Sequence, residues 1–454
     1  MSSRTPRRVA AAAALVCLAA CSQDTPTPLA PSLSRQTATP LAVVVRQLAA
    51  GRGIPAMPRP PQVRGSLVRL GQALAFDKEL SGNRDISCMT CHLPRFATGD
   101  ARSLSIGQGA SGLGLDRIHP AGAFIARNAP PLFNLTALQS LFWDGRVSTD
   151  AAGRFHTPAG ARLTPRMTRV FEFGPVSALG LFPVLSREEM RAQSGNELAT
   201  VPDDDNQAVW RGLMRRLGRI PEYRRLFEAA YPGTEFEDMT FAHASNAIGG
   251  FLVDQFSFFR SPWDRFLAGD DNALNQGQLE GAQTFLTIKC SLCHNGPAFS
   301  DNKFHNVAVA QFGPGKGNGP GGHDDFGRMN ETGLTIDQYA FRTTPLRNVV
   351  LTGPYGHDGA IGGLRDFVAH YSESDVKLRT FDLNTIEPLL RGTFVQNVEA
   401  VNAARDPIIQ GVVLPDATID QLVTFLGALT DPAAMNLSRT VPRRVPSGLP
   451  VDRP

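Results

Sequence analysis

Apolar residues along the chain recur mostly at helical spacing, in short stretches. Val68, Leu70, Leu74 and Phe76 predict a helix that ends before Asp77. Residues 242–259, 278–286, 364–371 and 419–429 carry the same signature, and 41–50 predict one more short helix. Alternation with a period of two is weak and scattered, so few strands are expected. Long Gly/Pro-containing stretches separate the helical segments, and the fold class that follows is mainly α with long loops. Residues 21–62, rich in Pro, Ser, Thr and Ala, read as a flexible tether around the 41–50 helix. The stretch 433–454, with Pro442, Pro446, Pro450 and Pro454, reads as a disordered tail.

Composition narrows the class. The 454 residues hold 43 Gly and 34 Pro, and 45 Lys+Arg stand against 42 Asp+Glu, a formal charge of +3. So small an excess argues against nucleic acid as a partner. The length suggests two or three domains, each able to bury a core.

Arg4, Arg7 and Arg8 precede an apolar run over residues 9–20, a signal-peptide pattern too short for a membrane helix. Leu18-Ala19-Ala20-Cys21 resembles a bacterial lipobox, which implies cleavage after residue 20 and a lipid on Cys21. Ordinary secretion is the alternative. Ser22 after the cysteine suits anchoring to the outer membrane from the periplasmic side. The three leader arginines equal the whole charge excess, so the mature polypeptide has none.

Besides Cys17 and Cys21, the cysteines form two copies of one motif, Cys88-Met89-Thr90-Cys91-His92 and Cys290-Ser291-Leu292-Cys293-His294. C-x-x-C-H is the spacing of c-type haem attachment: two thioether bonds hold the porphyrin and the histidine ligates iron. A zinc site would need further Cys or His nearby, and a redox dithiol would not need the histidine. Two covalent haem c groups are therefore expected, each organising its own domain.

The flanking residues are similar to the bacterial di-haem cytochrome c peroxidases and their relative MauG. The similarity rests on Leu70–Asp77, Leu80-Ser81-Gly82, Arg127-Asn128-Ala129-Pro130, Phe142-Trp143-Asp144-Gly145-Arg146 and Phe182-Pro183 with Glu189-Met190. Asp264-Arg265-Phe266, Arg347-Asn348-Val349 and Pro354-Tyr355-Gly356-His357-Asp358-Gly359 continue it. The resemblance implies two cytochrome-c-like α domains, placed at 63–240 and 241–432. The first haem would be peroxidatic and the second would relay electrons.

Carried over residue by residue, the resemblance makes His92 and His294 the proximal ligands and puts Trp143 between the haems. Glu189 becomes the distal acid–base group, with Pro183 in the same pocket. Ser186 and Glu189 also read as a capping box, and Glu188 is the neighbouring carboxylate to be distinguished. Leu179 stands where the peroxidases carry a glutamine, and His119 lies near the position of a loop histidine that ligates the resting iron. Tyr371 occupies the place of the second haem's other ligand, where the peroxidases have methionine and MauG has tyrosine. His370 and Met329 are the alternatives. Asn128, Thr352 and Pro354 match a calcium position, and His357 matches a residue near the relay haem.

The implied reaction is reduction of hydrogen peroxide with electrons from a small donor protein, a c-type cytochrome or a cupredoxin. The alternatives are MauG-like oxidation of a partner protein through high-valent di-haem iron, and a non-enzymatic di-haem electron carrier.

Overall fold

The structure, a computed structural model, describes residues 40–118 and 123–453. The leader with Cys17 and Cys21, the first part of the expected tether and His119 lie outside the described residues. Among the described residues helices dominate, and the helices that frame the site fall where apolar spacing places them. They are α1 (Leu41–Gly51), α2 (Gly65–Phe76), α3 (Cys88–Cys91), α4 (Phe241–Gln255), α5 (Gln276–Thr287), α6 (Cys290–Cys293), α7 (Leu364–His370) and α8 (Asp416–Gly427). Strands form two small antiparallel sheets. One joins β1 (Ser140–Leu141), β2 (Val147–Thr149) and β3 (Phe155–His156); the other pairs β4 (Phe304–His305) with β5 (Phe341–Arg342).

Two large hydrophobic cores organise residues 40–453. The first is built on α2 against α4. A Cβ on Gly71 would stand 1.9 Å from the Ala247 carbonyl oxygen, so only glycine lets these helices approach so closely. Helix α4 buries nearly its whole circumference, including Ala244, Ala247, Phe251 and Leu252. The expected boundary at 240/241 is therefore misplaced. An all-round apolar helix must lie inside a core, and the first core takes α4 together with Phe256 and Phe258. The second core packs α5 on α8 around Trp263, Phe285, Phe299 and Phe425, whose rings meet mostly edge to face.

The two chain ends cross over. Helix α1, expected within a tether, buries Val45 and Ala49, and Ile54 just beyond it, in the second core. Full burial of Val45 and Ile54 contributes roughly 1.5–3 kcal/mol each. Arg46 donates to the Phe266 carbonyl and Arg52 to that of Leu286, so residues from 40 onward are docked. The far end, expected to be disordered, docks on the first core through Ala434, Leu437 and Val445. Prolines there set turns and do not prevent packing. Ser447 donates to Asp77 (2.6 Å), Lys78 pairs with Asp452 (2.6 Å), and the Thr90 hydroxyl bonds Asp452.

Candidate active site

Both C-x-x-C-H motifs fold as one helical turn, which puts the two cysteines on one side and the histidine just past the end. Ser87 and Thr90 cap the first turn reciprocally. His92 Nδ1 donates to the Thr98 carbonyl at 2.8 Å, and His294 Nδ1 to that of Phe299 at 3.0 Å. These bonds fix the proton on Nδ1, the tautomer in which Nε2 carries the lone pair a metal needs. Burial lowers the proton affinity of both rings, which favours the neutral, ligating form.

A cavity of about 380 Å³ opens on α6. Cys290, Cys293 and His294 line it together with Trp143, Tyr371 and aliphatic walls such as Val309, Leu346 and Leu414. Of the alternative ligands, His370 points away: its Nε2 donates to the Val307 carbonyl at 2.8 Å, and neither it nor Met329 lines the cavity. Burial raises the Tyr371 phenol far above its ordinary value, with Cys290 and Cys293 adding to the effect.

Of the residues expected at the first site, Glu189 is the one whose charge reaches the cysteines of α3. Pro183 opens a 3₁₀ turn, and Glu189 follows in a π-helical turn capped by Ser186, whose hydroxyl accepts from Glu189 N–H at 3.2 Å. The reciprocal half of the expected capping box is absent from that turn. Glu189 is half-buried, and its charge acts to raise the Cys88 and Cys91 thiols. Burial raises the Glu189 carboxyl against the pull of Arg146 and Lys316. Glu188 is exposed, bonded to Ser186 and Gln193. Leu179 packs on the first core in the place of the family glutamine.

Trp143 lines the cavity over α6 and is 7 % exposed, its indole N–H donating to the Asn128 carbonyl at 2.9 Å. Gly145 after it has φ +71°, and a Cβ there would meet the Phe304 ring at 2.3 Å, so this turn demands glycine. Arg127 grips the turn: it bonds Asp144 (2.5 Å) and both oxygens of Asp325 (2.6 and 2.8 Å) in a fully buried network. Burial alone would raise both carboxylates, but Arg127, with Arg146 at Asp144, holds them below the ordinary range. His357 is buried, stacked 3.7 Å from Phe341, and kept neutral by that burial, which lowers it to about 3.

Asn128, Thr352 and Pro354 line a second cavity of about 10 Å³, the space of a single atom, together with Asp100. The Asn128 amide N–H₂ donates to the Arg102 and Ser103 carbonyls, which leaves its oxygen for a cation. Asp100 Oδ2 is buried without a well-aligned hydrogen-bond partner, and burial raises the carboxyl to about 6 against the pull of Ser105 and Arg102. This donor set suits a hard cation.

Asp100 and Asp325 join the sites only in the fold. Asp100 follows His92 by eight residues in a loop, and Asp325 ends a glycine-rich loop more than 180 residues from Arg127; neither has a local signature.

Comparison with known proteins decides the family. A family profile described as di-haem cytochrome c peroxidase matches residues 65–272. Cytochrome c551 peroxidase of Pseudomonas aeruginosa is 31% identical over 304 residues, 66% of this chain and 70% of that protein. The chain belongs to the di-haem cytochrome c peroxidase/MauG family. Methylamine utilization protein MauG of Methylophilus methylotrophus is 26% identical over 342 residues, 73% of this chain and 81% of that one. A crystal structure of a MauG-like protein associated with microbial copper homeostasis superposes with a TM-score of 0.58 at 25% identity, covering 84% of this chain and 95% of its own. The protein is thus an oxidoreductase of the peroxidase type, and a di-haem family member implies two c-type haems. The residues fit them: two cysteine pairs, two histidines with tied Nδ1 atoms, and a mostly apolar cavity over the second motif.

Proposed function

We propose that the protein reduces hydrogen peroxide to water with electrons from a small periplasmic donor, a c-type cytochrome or a cupredoxin. When bound, the two haems supply the iron at which the O–O bond breaks and the store of electrons for the reduction. In this reading Cys88 and Cys91 anchor the first haem and His92 ligates it; Cys290, Cys293 and His294 serve the second. Two electrons and two protons convert one peroxide into two waters. Glu189 takes a proton from one peroxide oxygen and returns it to the other, so that the departing oxygen leaves as water. Pro183 helps to wall that pocket, and Trp143 shortens the electron path between the sites. Asn128, Thr352, Pro354 and Asp100 hold calcium between them.

One observation supports the reading: Glu189 is half-buried where Glu188 is exposed, its charge acts on the Cys88 and Cys91 thiols, and burial raises its own proton affinity. An electron carrier has no use for such a group. Steady-state consumption of peroxide with a reduced small c-type cytochrome as donor tests the proposal; two cytochromes oxidised per peroxide is the expected stoichiometry, and no peroxide-dependent oxidation contradicts it.

Tyr371 supports a second reading. An anionic oxygen ligand lowers a haem potential, and Tyr371 shares the cavity with His294. Such a ligand would stabilise the more oxidised levels of the iron, which oxidation of a partner protein's side chains requires. A covalent change on a partner, dependent on peroxide and found by mass spectrometry, distinguishes it.

Export with a lipid on Cys21 remains part of the proposal, and acyl-chain release from the purified protein tests it. Among the described residues no helix is long and apolar enough to cross a membrane.

A further inference from the structure

His305 stands on β4 at the edge of the cavity over α6 and is held by two carboxylates. Its Nδ1 lies 2.5 Å from Asp406 and its Nε2 3.0 Å from Asp301. All three side chains are largely sheltered, at 16%, 23% and 8% exposure for His305, Asp406 and Asp301. Asp301 is tied to the second haem-attachment motif, since its N–H donates to the Cys293 carbonyl at 2.8 Å, and it also accepts from Thr343 at 2.7 Å. Asp406 belongs to a different wall of the cavity, the segment that continues through Ile408 to Leu414, and it accepts from Ile408 N–H at 2.8 Å. His305 therefore staples two walls of one cradle.

The ring's surroundings also settle what it can be chemically. Cys293, Asp301 and His305 place ligand atoms within 4.8 Å of one another, as a metal site would. Both ring nitrogens, however, point N–H at carboxylates, so no lone pair remains for a metal. Burial works against a charged ring, but the hydrogen bonds it donates to Asp301, Cys293 and Asp406 outweigh it and raise its proton affinity above that of an ordinary imidazole. With Cys293 as a neutral thioether, Asp301 and Asp406 remain to hold the charge. One cation between two anions leaves the cluster with one excess negative charge, beside the sulfur of Cys293.

We infer that the Asp301–His305–Asp406 cluster is a positioning device that sets the reduction potential of the second haem by fixing one excess negative charge beside its attachment at Cys293. This rests on the reading that Cys290–His294 carries a haem. A fixed anion stabilises the more oxidised, more positive iron, so the cluster lowers the potential and acts in the same sense as an anionic Tyr371.

The test uses the holoprotein and two variants with opposite effects on charge. His305→Gln removes the cation and leaves two carboxylates; Asp406→Asn removes an anion and leaves His305 paired with Asp301. The midpoint potential of the second haem is measured by spectroelectrochemical titration at pH 7.5, and the haems are counted by pyridine haemochromogen. The potential is expected to fall in His305→Gln and to rise in Asp406→Asn, each by about tenfold in the reduction equilibrium, ~59 mV for one electron. Looser packing alone would move both variants the same way. Shifts of one sign, or no shift in Asp406→Asn with both haems present, overturn the inference, and Asp406→Asn decides alone if His305→Gln does not fold. A wild-type protein with a single haem refutes the haem reading itself, so the two failures are told apart.

Discussion

Replacing Glu189 by Gln removes the titratable carboxyl and little else. The main-chain bond to Ser186 is kept because the N–H remains, and glutamine fills nearly the same volume in the π-helical turn. Stability should therefore change little. What is lost is a half-buried carboxyl whose proton affinity is raised by loss of solvent and trimmed by Arg146 and Lys316. Positioned acid–base catalysis contributes about 10²–10⁴-fold, on the order of 3–5 kcal/mol, so kcat/KM for peroxide should fall by that factor. The sign with pH follows. Accepting the first proton requires the carboxylate, so wild-type activity falls as pH drops through the raised pKa, above the ordinary ~4.3 of glutamate, and the variant loses that limb. Stopped-flow peroxide kinetics with pre-reduced protein is the assay, with exposed Glu188→Gln as the control expected to stay near wild type. Turnover in Glu189→Gln within threefold of wild type would refute the reasoning.

Other perturbations follow from the same geometry. Trp143→Phe should slow inter-haem electron transfer in stopped-flow spectra while leaving both haems attached; an unchanged rate removes Trp143 from the path. Asp325→Asn leaves Arg127 half-paired in a buried site and should cost about 3 kcal/mol in urea unfolding at pH 7. Because Asp144 and Asp325 titrate below the ordinary range, their contribution is complete above about pH 4 and fades as pH falls further, so the variant should show a shallower acid loss. Calcium at 100 times its Kd should stabilise the chelator-treated wild type by about 2.7 kcal/mol, whereas Asp100→Asn should respond weakly; equal melting curves with and without calcium contradict the site. Truncation after Leu437 removes buried Val445 and the bonds of Ser447 and Asp452, and should cost roughly 2–4 kcal/mol with faster hydrogen exchange around Cys88–Cys91.

Helices and haem motifs were legible because each is a local pattern. Apolar spacing placed α2, α5, α7 and α8 to within a few residues, and C-x-x-C-H located both attachment turns. What escaped depends on contacts distant in sequence. The boundary before α4 failed because an all-round apolar helix has no face to show which neighbour it joins. Proline content suggests two loose ends, yet Val45 and Val445 each find a core on the far side of the chain. At the site, motif position points to Glu189 and Tyr371, whereas the hydrogen bonds that engage Glu188 and His370 elsewhere appear only in the fold. Asp100, Asp325 and Asp406 become partners only on folding.

The most direct test of the account adds one equivalent of hydrogen peroxide to the diferric and the half-reduced holoprotein and records spectra in a stopped-flow instrument. The account predicts rapid consumption of the peroxide, with water as product, in the half-reduced form, and in the diferric form as well if the Tyr371 reading holds. Spectral silence and undiminished peroxide in both states would contradict it and leave a di-haem electron carrier.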